Sequence, residues 1–336
     1  MKRILIFILA LALAAMTFSC SAGAKKMKAA VDGSAGELDA YFVRARESVV
    51  ALDAAVEKLL EDPSRYELST GSMDVERGGK YKFFQNAVYT TVADDGEGVV
   101  FATGFHPVDE SLKKRIKLYE NALPIMKKSV SGEYADILVM DPEYSLALRY
   151  PWIDFLSTIP PKLDIRAFPW ISLADRSANP SKSTVWLGEP FTALAGAGWI
   201  IVVISPIYSG AQMKAVAASN IYLDRLGTSV LGKSPAIMLF LTDKGLVIAG
   251  SVEAHRALGV KILEEYDYLS QQRENVFASD SYLLSSDANP PEFRELGMRL
   301  QREAEFQARI GGKEYFVYRK ALDELPNLWV VGLQER

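Results

Sequence analysis

Cysteine and histidine are almost missing from this chain: one Cys and two His in 336 residues. A lone Cys excludes a disulfide framework and a thiolate zinc cluster. His106 and His255 stand far apart, which makes a histidine metal site or a Ser-His-Asp relay hard to assemble. An excess of positive charge is missing too. Lys and Arg number 38 against 42 Asp and Glu, for a net charge of -4. A nucleic-acid binder needs a basic face to neutralise phosphates, so no nucleic-acid partner is expected. No glycine-rich phosphate loop occurs, and nucleotide binding therefore has no support. What is present is a globular composition, 49% hydrophobic and 10% aromatic, able to bury enough surface to offset chain entropy. The length suggests two domains.

Long hydrophobic runs are confined to the start. Residues 2–19 read KRILIFILALALAAMTFS, a basic pair followed by an apolar run of signal-peptide length. Residues 1–19 are therefore read as a signal peptide. Cys20 follows Ser19 directly after the run, which resembles the lipobox of bacterial lipoproteins. That resemblance implies lipidation of Cys20 and an anchor at a membrane surface. Ordinary cleavage after Ala22-Gly23-Ala24, which would discard the Cys, is the alternative. Residues 20–36, rich in Ser, Gly, Ala and Lys, read as a flexible tether.

The body opens with a helix over 37–62. Leu38, Phe42, Ala45, Val49, Leu52, Val56 and Leu59 repeat at spacings of four and three, and Asp62-Pro63 ends the pattern. Such a stripe can pack along its own domain, the favoured reading, or form a homodimer seam. Residues 80–103 alternate like strands around an Asp94-Asp95-Gly96-Glu97-Gly98 turn, which lacks the ligand spacing of a calcium loop. Residues 109–129 form a helix broken or kinked at Pro124. Strands are expected at 135–140, 144–150, 184–187, 199–207 and 215–222, then at 236–241, 246–249, 313–320 and 328–333, with a helix over 291–308. Tight turns between consecutive strands imply antiparallel sheets. The irregular stretch 151–183, inside an otherwise ordered region, reads as a binding loop. Asp141, Glu143 and Asp243 sit in or beside turns, which accounts for them without catalysis.

Several segments, in order, resemble the double Cache domain, a tandem of PAS-like extracytoplasmic sensor modules. They are Asp164-Ile165-Arg166-Ala167-Phe168-Pro169-Trp170-Ile171, Val185-Trp186-Leu187-Gly188-Glu189-Pro190-Phe191, Ile201–Ile207, Ala217–Leu226 and Leu239–Ala249. The resemblance implies an α+β fold, a long N-terminal helix followed by two PAS-like modules with antiparallel sheets. It places a membrane-distal module at 63–230 and a membrane-proximal module at 231–336. In many relatives the distal module holds amino acids through Arg, Tyr and Asp side chains. At the matching places this chain has Phe168, Ile171, Phe191, Ala193 and Asn220, with Trp170 retained. A zwitterionic amino acid would lose its charged partners.

The expected ligand-binding residues are Phe168, Trp170, Ile171, Trp186 and Phe191 as an apolar, aromatic wall, Asn220 as a polar contact, and Arg166 and Tyr150 beside them. They suit an apolar or ring-bearing small molecule. No catalytic residue, metal or cofactor is expected, and the chain reads as a binding protein rather than an enzyme. The function expected is small-molecule binding or sensing in the bacterial cell envelope, on the periplasmic face or cell surface. With no transmembrane helix after the second module, ligand state would pass to a membrane receptor or transporter. The alternative is an envelope scaffold with a degenerate pocket and the 37–62 helix as its contact surface.

Overall fold

The computed structural model describes residues 2–66, 68–73, 80–84, 87–90, 98–130, 134–154, 159–192, 199–259 and 283–336. Its first element is one helix, α1 (Lys2–Glu61). From Met27 onward the buried apolar residues are Met27, Val31, Ala35, Leu38, Tyr41, Phe42, Ala45, Val49, Leu52, Val56 and Leu59. Their spacing makes one stripe along the helix. The stripe therefore starts earlier than the periodicity of 37–62 suggests. Residues 22–36 are not a tether: Met27, Val31 and Ala35 are buried members of the same stripe. Ala, Lys and Met are good helix formers, and packing holds Gly33 and Gly36 in the helix despite their poor propensity. The stripe is buried inside its own chain, so it is not free to serve as a dimer seam. The helix stops where expected, with Pro63 starting a short 3-10 turn, Pro63–Arg65.

Two units share this helix. One takes α1 up to Phe42 together with the described residues from Leu223 on; the other runs from Val43 to Tyr222. The second unit holds β1 (Tyr81–Phe84), β2 (Ala87–Thr90), β3 (Val99–Ala102), α2 (Glu110–Glu120), α3 (Leu123–Ser129), β4 (Ala135–Asp141) and β5 (Leu146–Tyr150). It continues with α4 (Pro169–Ala174), β6 (Val185–Thr192), β7 (Trp199–Ser209) and β8 (Gln212–Tyr222). The first unit holds, beyond its part of α1, α5 (Leu223–Leu231), β9 (Ile237–Thr242), β10 (Val247–Gly250), α6 (Val252–Leu258), α7 (Pro291–Leu300), β11 (Glu305–Ile310), β12 (Lys313–Ala321) and β13 (Leu328–Glu335).

Both sheets are antiparallel throughout and share one strand order. The smaller is β10-β9-β13-β12-β11, and the larger contains β5-β4-β8-β7-β6. In each five-strand set, the first strand of the leading hairpin, β4 or β9, pairs with the last strand of the module, β8 or β13. The larger sheet adds β1-β2-β3 at its β5 edge. The chain thus has an α+β fold, a long N-terminal helix followed by two antiparallel modules of one topology.

Alternation along the strands sorts the larger sheet into two faces. Ile137, Val139, Leu146, Leu148, Ala215 and Ala217 pack with α1, α2 and α3 residues such as Val49, Val56, Ile116 and Tyr119. Leu138, Met140, Ala147, Val216 and Ala218 face the other way, toward Trp170, Ile171 and Ala174 of α4. Asp141 holds its turn as expected, accepting from the Glu143 and Tyr144 N–H groups. Its second oxygen accepts from the Tyr119 hydroxyl at 2.7 Å. Pro124 starts α3 rather than kinking one helix, because a first-turn proline has no N–H bond to lose. The helix expected over 291–308 ends at Leu300. Residues 305–310 have helical composition, yet Phe306 and Ile310 are buried and the segment pairs with β12, so tertiary pairing overrides propensity. Apart from Gly98, the expected 94–98 turn lies outside the described residues.

Gly332, central in the smaller sheet, sits where α1 crosses it. A Cβ there would run into the side chains of Met27 and Val31. Gly332→Ala should therefore destabilise the protein by about 1–3 kcal/mol through overpacking. Urea denaturation measures this, and an unchanged midpoint would mean that the 22–42 segment does not pack on this sheet.

Candidate functional site

A cavity opens on the α4 face of the larger sheet, within the 43–222 unit. It is lined by Phe101, Leu138, Met140, Ala147, Arg149, Ile159, Leu163, Ile165, Phe168, Trp170, Ile200, Asn220 and Tyr222. Strands β3, β4, β5, β7 and β8 supply the floor, and the 159–170 stretch supplies the wall. That stretch belongs to the segment read from sequence as a binding loop. Asp164 caps its short 3-10 turn by accepting from the Arg166 N–H, and Pro169 starts α4, which carries Trp170. The cavity volume is about 60 Å³. One water needs ~10–15 Å³, so the space suits a compact ligand.

The polar end is a cluster on three adjacent strands. The Asp136 carboxylate of β4, 1% exposed, sits 2.7 Å from the Arg149 guanidinium of β5. Arg149 also donates to the Tyr222 hydroxyl at 2.8 Å, and that hydroxyl donates to Asp136 at 2.5 Å. The Asn220 amide nitrogen donates to the other Asp136 oxygen at 2.7 Å. Asp136 lies directly opposite Asn220 across the β4–β8 pair, and Tyr222 is two residues on along the same face. Burial pushes the Asp136 carboxyl up from its ordinary range, while Arg149, Tyr222 and Asn220 pull it down. A buried carboxylate of this kind persists because both of its oxygens are engaged, one by Arg149 and Tyr222 and the other by Asn220.

The residues expected from sequence separate into four groups. Phe168, Trp170 and Asn220 line the cavity together. Ile171 and Phe191 pack in the same apolar cluster but behind the wall; the Phe191 and Trp170 rings lie 6.2 Å apart. Trp186 and Tyr150 lie on the opposite face of the sheet, against the α1 cluster. The reason is parity: Val185 and Leu187 take the cavity side, which sends Trp186 to the other. Arg166 is exposed and forms two hydrogen bonds with Asp164, at 2.8 and 2.9 Å. Ala193 lies outside the described residues.

Sequence reasoning missed Asp136, Arg149 and Tyr222. A signal was available: opposite charges, Asp136 and Arg149, inside the two apolar strands ADILVMD and LALRY, which a tight turn joins. Buried charges on adjacent strands must pair.

Removing one partner should show this dependence. Arg149→Met should cost about 3–5 kcal/mol by stranding the Asp136 carboxylate. The sign with pH follows. A carboxyl whose folded pKa is raised favours folding when protonated and loses that contribution as pH rises through the raised value. The variant should therefore regain stability relative to the parent as pH is lowered from about 7 to about 5. Denaturant titrations at the two pH values check both points.

No family model matches the chain, and no curated protein matches it. Solved structures do. The extracellular ligand-binding receptor from Desulfohalobium retbaense is 12% identical over 92% of this chain and 40% of its own, with a TM-score of 0.43. The ligand-binding domain of the Pseudomonas fluorescens chemoreceptor CtaA, in complex with L-alanine, is 14% identical over 64% and 79%, with a TM-score of 0.40. That of the Pseudomonas aeruginosa amino acid chemoreceptor PctB, in complex with L-Arg, is 15% identical over 59% and 69%, with a TM-score of 0.36. The chain's own architecture, a long helix followed by two antiparallel sheets of one strand order, is consistent with a double Cache domain.

Proposed function

We propose that this protein is an exported, lipid-anchored binding protein that holds a small molecule in the cavity of its 43–222 unit. The observation that carries the reading is the cavity itself: an apolar, aromatic wall closed at one end by a buried polar cluster. Enclosed sites of this make-up, with few polar groups among apolar ones, are the usual form of small-molecule pockets. The solved structures named above are ligand-binding domains, which agrees with it.

The ligand is not a zwitterionic amino acid. Among the described residues Arg149 is the one charged residue lining the cavity, and Asp136 already neutralises it. Neither a carboxylate nor an ammonium finds an uncompensated countercharge there among the described residues. Cys20 carries the lipid in this reading, residues 1–19 are removed, and the body lies at the outer face of a bacterial membrane. Ligand occupancy is passed to a membrane receptor or transporter. Catalysis plays no part.

Protein purified from its native host should carry a bound small molecule, visible by native mass spectrometry. That compound, added back to stripped protein, should raise the melting temperature by mass action. Ala147→Leu puts side-chain volume into the cavity and should abolish the rise without lowering the melting temperature of the empty protein. A shift that survives this substitution places the ligand elsewhere, and protein with neither a bound compound nor a shift in a broad metabolite screen overturns the reading.

A further inference from the structure

Three side-chain atoms of residues lining the cavity have no hydrogen-bond partner among the described residues. One is the Arg149 Nε, in a guanidinium already held through Nη2 by Asp136 and Tyr222. The other two are the Trp170 indole N–H and the Asn220 side-chain oxygen. Both side chains are buried, at 8% and 5% exposure. The Asn220 orientation is fixed by chemistry: its amide nitrogen must face Asp136, because a carboxylate accepts and cannot donate. That leaves the oxygen as an acceptor. Trp170 can only donate. Buried polar groups are nearly always paired, so an unpaired donor and an unpaired acceptor on one cavity ask for a ligand that supplies the complements. Around them the wall is apolar, with Phe168 at 5.3 Å from the Trp170 ring, and the one lining charge is already neutralised.

Resting on the binding reading above, we propose that the cavity selects a small uncharged molecule of the primary carboxamide class, whose carbonyl accepts from Trp170 and whose NH₂ donates to Asn220, with its apolar remainder against the aromatic wall. A carboxylate of the same shape offers no donor to Asn220 and brings an uncompensated charge. An ammonium offers no acceptor to Trp170.

The test uses matched probes on one carbon skeleton: isobutyramide, isobutyrate and isobutylamine, with benzamide and benzoate as a ring-bearing pair. Affinities are read by saturation-transfer NMR on the full body of the protein. The amides should bind at least tenfold tighter than the corresponding acids and the amine. Trp170→Phe keeps the ring packing and removes only the N–H, so it should weaken the amides about tenfold and leave the acids unchanged; circular dichroism and the melting temperature establish that the variant is folded. Asn220→Ala should erase the preference of amide over acid. Acids or the amine binding as tightly as the amides, amides failing to bind, or an amide affinity indifferent to Trp170→Phe overturns the carboxamide class. The co-purified compound of the preceding experiment separates the two failures: if it is present and blocked by Ala147→Leu, the cavity still binds and only the class is wrong.

Discussion

A carboxylate and a guanidinium face each other across 2.7 Å inside an apolar sheet face, and much of the 43–222 unit is arranged so that they can. Asp136 and Arg149 come from the two strands of one hairpin, while Asn220 and Tyr222 come from the far end of the module, brought alongside by the β4–β8 pairing. Taking charges out of water is expensive, and the cost is offset only when each lone pair and proton has a partner. A register slip of one residue in β8 would turn Asn220 and Tyr222 to the α1 face and leave the carboxylate with one partner. The cluster thus fixes strand register and, with it, the floor of the cavity.

The shared order of the two sheets gives a second constraint. In the five strands common to both sheets, the leading hairpin (β4–β5 or β9–β10) has its first strand paired with the last strand of the module, β8 or β13. The smaller sheet presents Gly332 where α1 crosses, so that helix and sheet meet at Met27 and Val31. The larger sheet meets the same helix through its Val49-to-Leu59 stripe, and a partly buried polar contact joins them: Ser205 donates to Asp53 at 2.5 Å. One helix supplies a wall to both modules.

Much of this was legible in the sequence because it is local. Heptad spacing gave α1 from Leu38 to Leu59, and the alternating runs with Gly- and Asp-rich turns gave most of the strands within a few residues. The readings that failed depend on distant partners. Residues 22–36 look like a linker by composition, and only a sheet built from residues some three hundred positions away makes Met27 and Val31 core. Residues 305–310 look helical until β12 offers an edge to pair with. At the site, Phe168, Trp170 and Asn220 were legible through motif order. Trp186 was assigned to the wall, but strand parity puts it on the other face, and parity is visible only once the register is set.

By itself, the sequence determined the fold class, the long helix and the antiparallel character of the sheets, because composition, periodicity and turn residues act over short range. Tertiary structure alone decided that Asp136, Arg149, Asn220 and Tyr222 form one cluster and that Trp170 and Asn220 share a cavity. Those groups are separated by up to 86 positions in the chain. What joins them is the pairing of sheet strands, which forms only when the whole module closes.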